Sequence, residues 1–529
     1  LAGSGIELMR MGEPGVPGIF DFIKDNIGED SVLGFDGRCF SYGDGKRLYD
    51  TAGGRVVLKD LADELWPSRP PRSFSPIWIL DERYCGRSIK DKLSKLRADI
   101  EASGADMCLI SSLDDIAWLL NLRAWDIKYN PVFYAYMLVG AEEAVLYTDP
   151  EHFISPENVN GGRNVEKYLA EAGIAVRDHD RIYEDIRKLS GTMLVDPARC
   201  NFELMSLAEK SCSLKHGMCP VTADKCRKNV TEMENLHAAQ HKDSLAVTRF
   251  MYWFKHKAGI AGCTEPDSDL QAADTSGLSE MSCVRKLHEL RSKGKDFLGE
   301  SFETISAYAD NAAMAHYAPS DKADVSILPK GLYLVDSGGQ YPEGTTDITR
   351  TWSCGSLTDR EKECFTLTVM ANLRLADQIF PSGTSGLTLD QPARDVFWRR
   401  GLNYNHGTGH GVGFCLNVHE GPSGIRYRAS TLEGAYPVTE GMYISDEPGY
   451  YEEGQFGIRT ENMLLAVPYM DSVYGRFLRF EIMTFCPIDK TCLKTDIMEK
   501  RDIELLNRYH ESVFKELSGD LDETERKWL

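Results

Sequence analysis

The stretch from residue 331 to 351, "GLYLVDSGGQYPEGTTDITRT", returns 110 positions later as "GMYISDEPGYYEEGQFGIRTE", residues 441 to 461. Laid over one another without a gap, the two share eight identities in 21 positions: Gly331, Tyr333, Asp336, Gly339, Tyr341, Glu343, Gly344 and Ile348 fall on Gly441, Tyr443, Asp446, Gly449, Tyr451, Glu453, Gly454 and Ile458. Self-similarity at a fixed offset marks a repeated structural unit. Each copy reads as a short apolar strand entered from a Gly turn, an acidic residue at its end, a Gly-rich reversal and a second strand. The chain is therefore expected to contain a duplicated β-hairpin. Two such hairpins facing each other across a pseudo-twofold axis would bring the acidic residues of their inner faces together.

At 529 residues the chain exceeds what one hydrophobic core supports, so two or three domains are expected. Hydrophobic residues make up 42%, ordinary for a soluble globular protein, and the longest apolar runs fall short of the ~20 residues that span a bilayer. A formal net charge of −21 argues against nucleic acid or an anionic membrane as partner, because both would be repelled. The 14 cysteines include no C-x-x-C pair, which disfavours a zinc ribbon or a small disulfide scaffold and fits reduced, mostly buried thiols. The sequence starts without Met and without the basic-then-apolar pattern of a signal peptide, and its one N-x-T sequon, at Asn229, is weak. A cytoplasmic location is expected.

A Pro- and Ser-rich stretch, residues 66–76, reads as an extended linker and sets a first boundary. Alternating helical and strand-like patterns from 77 to 225 predict one compact α/β domain. Thr231 with Glu234 is a candidate capping box opening a long helix, with the second boundary just before it, near 225. Residues 226–529 then carry both hairpin copies and every polar cluster with chemical character.

Between the hairpins lies "NYNHGTGHGVG", with His406 and His410 four apart. Four glycines between 407 and 413 make a helical histidine pair improbable and predict a loop or strand edge. His316 lies upstream and His419 downstream. Asp336, Asp347, His410, Glu447 and Glu461 form a set of hard oxygens plus one imidazole, which suits Mn²⁺, Co²⁺, Fe²⁺ or Zn²⁺ better than a structural zinc. Four carboxylates overcharge one ion, whereas two divalent ions balance them and acidify a shared water. The repeat alone leaves open whether Asp446 or Glu447 is the ligand.

At "AHYAP", "DSGGQYPEGTTDITRT", "HGTGHGVGFCLNVHEGP", "DEPGYYEEGQFGIRTEN" and "DDIAWLLNLRAWDIKYNPVF", the sequence closely resembles the pita-bread metallopeptidases, and within them the eukaryotic-type Xaa-Pro aminopeptidases (aminopeptidase P). The resemblance runs from about residue 77 to the end. It implies an α/β (α+β) chain: a partial first creatinase-like domain (1–76), a second creatinase-like α/β domain (77–225) and a pita-bread catalytic domain (226–529). It makes Asp336, Asp347, His410, Glu447 and Glu461 the metal ligands, with Asp347 and Glu461 bridging, and Asp446 a neighbour. It gives His316 and His419 hydrogen bonds to substrate and intermediate, sets His406 on the substrate side near the proline, and makes Arg459 a support for a ligand carboxylate. The implied cofactor is two Mn²⁺, with Zn²⁺ or Co²⁺ as alternatives. The implied substrates are peptides with N-terminal Xaa-Pro, cut by a metal-bridging hydroxide with Glu447 carrying the proton, and a homodimer is expected. One departure, "TISAYADNAAMAHYAP" before His316, predicts a local loop change. A prolidase cutting Xaa-Pro dipeptides and a non-catalytic peptide- or protein-binding relative are the alternatives. The length and the "NLR" and "NPVF" segments favour the aminopeptidase over the first, and the full ligand set disfavours the second.

Overall fold

A computed structural model describes residues 3–154, 163–257, 277–428 and 432–529. It forms two compact units: Leu1–Ile79, Ile89–Asp126 and Val132–Val221 make the first, and Leu80–Ser88, Ile127–Pro131 and Thr222–Leu529 the second.

The first unit is built on a mixed six-stranded sheet in the order Ser213–His216, Thr192–Val195, Met107–Ile110, Ala135–Gly140, Ala144–Thr148, Ile174–Arg177. Helix Ile89–Ser103 buries Ile89, Leu93, Leu96 and Ile100, the 3.6-residue spacing that one helix face requires. Phe35, Tyr42 and Leu48, which precede the Pro-rich stretch, share a core with Ile182, Met193 and Phe202. The Pro-rich stretch itself is extended, and Asp126 pins it by accepting from the Ser75 backbone N–H and hydroxyl, both at 2.9 Å.

In the second unit both hairpins form. The strand Leu332–Ser337 pairs antiparallel with Ile348–Ser353, and a short inner ladder, Gly339–Tyr341 with Gly344–Thr345, closes the reversal. The second copy repeats this plan with Tyr443–Asp446 against Asn462–Ser472 and an inner ladder of Gly449–Glu452 with Phe456–Arg459. The return strand of the second copy is displaced. Asp336 faces Thr349, whereas its counterpart Asp446 faces Asn462, an offset of 462 − 349 = 113 rather than 110. The second turn is longer by those three residues, so the Ile348–Ile458 identity of the gapless comparison is no structural equivalence: Ile348 lies opposite Ser337, Ile458 opposite Tyr450.

The second hairpin belongs to a six-stranded sheet in the order Ile379–Pro381, Gly475–Ile482, Asn462–Ser472, Tyr443–Asp446, Gly409–Gly411, Glu420–Ile425. His410 is thus on a strand, as the glycines suggested, and those glycines serve packing: a Cβ on Gly409 would lie 1.9 Å from the Ser445 carbonyl oxygen, and one on Gly411 2.3 Å from that of Glu420. Helix Asp359–Ala376, opened by a Thr358/Glu361 capping box, runs buried along most of its length through the main core. The long helix Val230–Lys257 is capped by Asn229, not Thr231: the Asn229 side chain accepts from the Glu232 N–H and the Glu232 carboxylate from the Asn229 N–H, so the box sits two residues earlier than expected. This also occupies the sequon asparagine. The segment before His316 is a short 3₁₀ turn, Ala309–Ala313, entered through Ala309 at φ 52°.

Described cysteines are thiols, buried except Cys39, and no described helix is long and apolar enough to cross a membrane. Leu367 is fully buried in the main core. Leu367→Ala is expected to cost about 2–5 kcal/mol, read as a lower urea midpoint at unchanged m-value.

Candidate metal centre

One atom each from Asp347, His410 and Glu461 lie within 4.8 Å of one another. Asp347 comes from the reversal of the first hairpin, Glu461 from the return of the second, and His410 from the strand between them. Glu447 joins at the junction of the second hairpin, its Oε1 3.3 Å from His410 Nε2, and Asp347 Oδ2 is 3.6 Å from the same nitrogen.

The imidazole is oriented by its other nitrogen. His410 Nδ1 lies 3.0 Å from the Gly411 carbonyl, which only accepts, so Nδ1 carries the proton and Nε2 presents a lone pair to the carboxylates. Burial, followed by the neighbouring His419, lowers the His410 pKa to about 3 and keeps the ring neutral. Ser445 links this strand to the second hairpin, its hydroxyl accepting from the His410 N–H at 3.0 Å and donating to Glu447 Oε1 at 3.2 Å.

The carboxyls are crowded in a dry space. Burial and then the charges of Glu461, Asp336 and Glu447 push Asp347 well above the usual carboxylate range, and burial followed by Glu461 does the same to Glu447. Glu461 is pushed up to about 8 by burial and then by Asp336, while the Thr349 hydroxyl, donating at 2.7 Å, and Asp347, hydrogen-bonded to it, oppose the shift. Asp336 is reached through Arg459, whose Nη2 donates to Oδ2; Oδ1 is buried and has no hydrogen-bond partner. An orphaned carboxylate oxygen, a bare imidazole nitrogen and two acidic groups in mutual contact fit a pair of divalent cations.

The remaining expected residues lie around this cluster. His419 is exposed and stands edge-on to His410 at 4.2 Å between ring centroids. His406 donates from Nδ1 to the Gly407 carbonyl at 2.7 Å and accepts the Tyr451 hydroxyl on Nε2 at 2.9 Å, so both nitrogens are engaged. Arg459 Nη1 donates to that hydroxyl oxygen at 2.8 Å, which chains Asp336, Arg459, Tyr451 and His406 together. His316 is exposed and follows Ala315, whose carbonyl accepts from Arg459 at 3.4 Å.

Sequence reading missed Tyr451, Thr349 and Ser445. Tyr451 carried a signal, being one of the repeat identities; the other two carried none. Asp446 and Glu447 part at the end of the strand. Successive residues of a strand point to opposite faces, and Glu447 meets His410 while Asp446 is buried on the other side with neither oxygen hydrogen-bonded. Burial, then Glu461, raises its pKa.

The sign of the pH effect follows for metal-stripped protein. Carboxyls with raised pKa bind protons more tightly folded than unfolded, so their contribution is present below their unfolded pKa and lost as pH rises through the folded one. His410 and His406, lowered to about 3 by burial, oppose this only up to about their ordinary 6.5. Between pH 6.5 and 8 the melting temperature of stripped protein is expected to fall, Glu461→Gln to flatten that slope and added Mn²⁺ to abolish it, all checked by thermal melts.

The chain resembles known proteins along most of its length. Residues 68–232 match the creatinase/prolidase N-terminal domain, 234–468 metallopeptidase family M24 and 476–529 the C-terminal region of peptidase M24. Aminopeptidase P1 of Arabidopsis thaliana is 34% identical over 99% of this chain and 85% of its own length. A probable Xaa-Pro aminopeptidase P of Botryotinia fuckeliana is 35% identical over 99% and 80%. The crystal structure of X-prolyl aminopeptidase from Caenorhabditis elegans, described as a cytosolic enzyme with a di-nuclear active site, superposes with a TM-score of 0.88 at 28% identity, covering 99% of this chain and 84% of that one. Prolidase from Pyrococcus furiosus, at 21% identity and a TM-score of 0.52 over 73% of this chain and 98% of its own, shares the fold.

Proposed function

The chain belongs to the aminopeptidase P group of metallopeptidase family M24, and we propose that it releases the N-terminal residue from peptides with proline at the second position, using two divalent metal ions. The observation that carries this reading is a full-length family likeness together with the convergence of oxygens and one bare imidazole nitrogen at the junction of the two hairpins.

Asp336, Asp347, His410, Glu447 and Glu461 would hold the cations, Asp347 and Glu461 being already in mutual contact. When bound, the cations supply Lewis acidity and bring the pKa of a shared water toward neutrality. The chain's own residues do the rest. As in any amide cleavage, the leaving nitrogen, here that of proline, must gain a proton before the C–N bond breaks. Glu447, steadied at Oε1 by Ser445, takes a proton from the attacking water and delivers it to that nitrogen. His419, beside His410, and His316 donate to the scissile carbonyl oxygen as it gains charge. His406 is fixed by Tyr451 and forms a wall for the proline ring rather than a proton carrier.

Manganese as the resident metal, a homodimer and a cytoplasmic location are part of the proposal; the cytosolic description of the Caenorhabditis elegans neighbour and the thiol state of the described cysteines support the location.

The test is hydrolysis of Arg-Pro-Pro by metal-stripped protein with and without Mn²⁺. Free arginine is expected only with metal, and none from Asp347→Ala. Faster cleavage of the dipeptide Arg-Pro than of Arg-Pro-Pro would instead mark a prolidase, and no turnover of either a binding module. His419→Ala is expected to lower kcat by about 10²–10³, the cost of losing an oxyanion donor, with metal content unchanged.

A further inference from the structure

Beneath the first hairpin lies a buried ion pair that the reaction does not use. Asp243, midway along helix Val230–Lys257, and Arg291, in the last turn of helix Glu280–Ser292, are both fully buried. Their contact is bidentate, Nε to Oδ1 at 2.6 Å and Nη2 to Oδ2 at 3.1 Å. Arg291 also donates from Nη1 to Glu300 Oε2 at 3.0 Å.

The remaining bonds of the pair all go to the first hairpin, beside the two ligand aspartates. Arg291 Nη2 donates to the hydroxyl of Ser337, the residue after Asp336, at 3.0 Å. Asp243 Oδ2 accepts from the hydroxyl of Thr346, the residue before Asp347, at 2.7 Å, and Oδ1 accepts from Tyr341 at 3.1 Å. The Thr346 oxygen in turn accepts the Gly339 N–H at 2.8 Å. The two strands pass so closely here that a Cβ on Gly338 would lie 2.0 Å from the Thr346 carbonyl oxygen.

A buried ion pair adds little net stability over apolar residues of the same volume, so holding two helices together does not account for it. Its directional value is greater. Ser337 follows Asp336 on one strand, where neighbours face opposite ways, and Thr346 adjoins Asp347 in the short link between two ladders, so fixing Ser337 and Thr346 from the helix side restricts the backbone that carries Asp336 and Asp347. We propose that Asp243 and Arg291 are positioning residues for the metal centre, setting Asp336 and Asp347 at the spacing two cations require. This rests on reading those aspartates as ligands.

The experiment is calorimetric titration of stripped full-length protein with Mn²⁺, alongside melting curves of the metal-free form. The double variant Ser337→Ala/Thr346→Val removes both hydroxyl links and leaves the ion pair in place. Its Mn²⁺ affinity is expected to fall about 10–100-fold, as for other groups that orient ligands. The metal-free form, its melt lowered because the Gly339 N–H and Asp243 lose a partner, still unfolds cooperatively above the titration temperature. The variant Asp243→Leu/Arg291→Met replaces the pair by apolar bulk and is expected to show the same loss. Wild-type affinity and stoichiometry in either would overturn the proposal. Should both variants fail to fold, Thr346→Val and Thr346→Ser decide: affinity lost in the first and regained in the second supports positioning, and equal affinity in the two refutes it. Wild-type protein that binds no Mn²⁺ would defeat the reading of Asp336 and Asp347 as ligands, a failure distinguishable from unchanged variants of a metal-binding protein.

Discussion

Like charges in a dry pocket repel, and the second unit is organised around holding them together. At about 4 Å and an effective dielectric constant near 20, each pair of carboxylates costs about 4 kcal/mol. Burial first and that repulsion second raise the pKa values of Asp347, Glu447 and Glu461 in the metal-free chain, where protons offset the crowded charge. A site of this kind must be over-determined by its surroundings, since relaxation would otherwise separate the ligands.

Several segments of the acidic cluster have a buried polar anchor of their own. Arg350 donates to the Glu461 carbonyl at 2.6 Å, to that of Thr349 at 2.9 Å and to the Asn462 side chain at 2.8 Å, fixing the return strand of the second hairpin to the first. Asn372, on the buried helix, donates to the Asp446 carbonyl at 2.7 Å and accepts from Asn462 at 2.8 Å. Buried Arg394 holds the His406 carbonyl at 2.6 Å and Asp390 Oδ2 at 2.6 Å, while Asp390 takes the Thr408 hydroxyl at 2.5 Å, so the loop entering the His410 strand is tied from below. Lys225 and Lys228 both contact Glu420, the residue after His419. A partner lost from such a network leaves a buried group unpaired, which costs about 1–3 kcal/mol, more for a charge. These anchors are therefore as exacting as the ligands they serve.

The two hairpins are related but not interchangeable. In the first, Asp336 sits opposite Thr349; in the second its counterpart Asp446 turns away and the next residue, Glu447, meets His410. The three-residue lengthening of the second turn moves the return strand as well, placing Thr460 at the Asp347 position and Glu461 one beyond it. Both acidic residues of the second copy that approach His410, Glu447 and Glu461, thus stand one residue on from the first copy's positions. Duplication supplied the framework, and the halves then specialised.

The sequence by itself determined much. The repeat predicts the hairpins, glycines 407 to 413 keep His410 off a helix, and the hard donor set with one imidazole identifies the chemistry, because strand periodicity, backbone freedom and ligand hardness are local properties. The α/β pattern beyond the Pro-rich stretch is legible for the same reason. Only the tertiary structure showed Glu447 against His410 with Asp446 turned away, moved the helix cap from Thr231 to Asn229, and engaged both nitrogens of His406 through Tyr451. It also brought Asp243 and Arg291 beneath residues far away in sequence. Which face a strand residue takes depends on the register of its partner, and which buried charge meets which depends on how helices pack over the hairpin; both are set by contacts between distant segments, and no local pattern contains them.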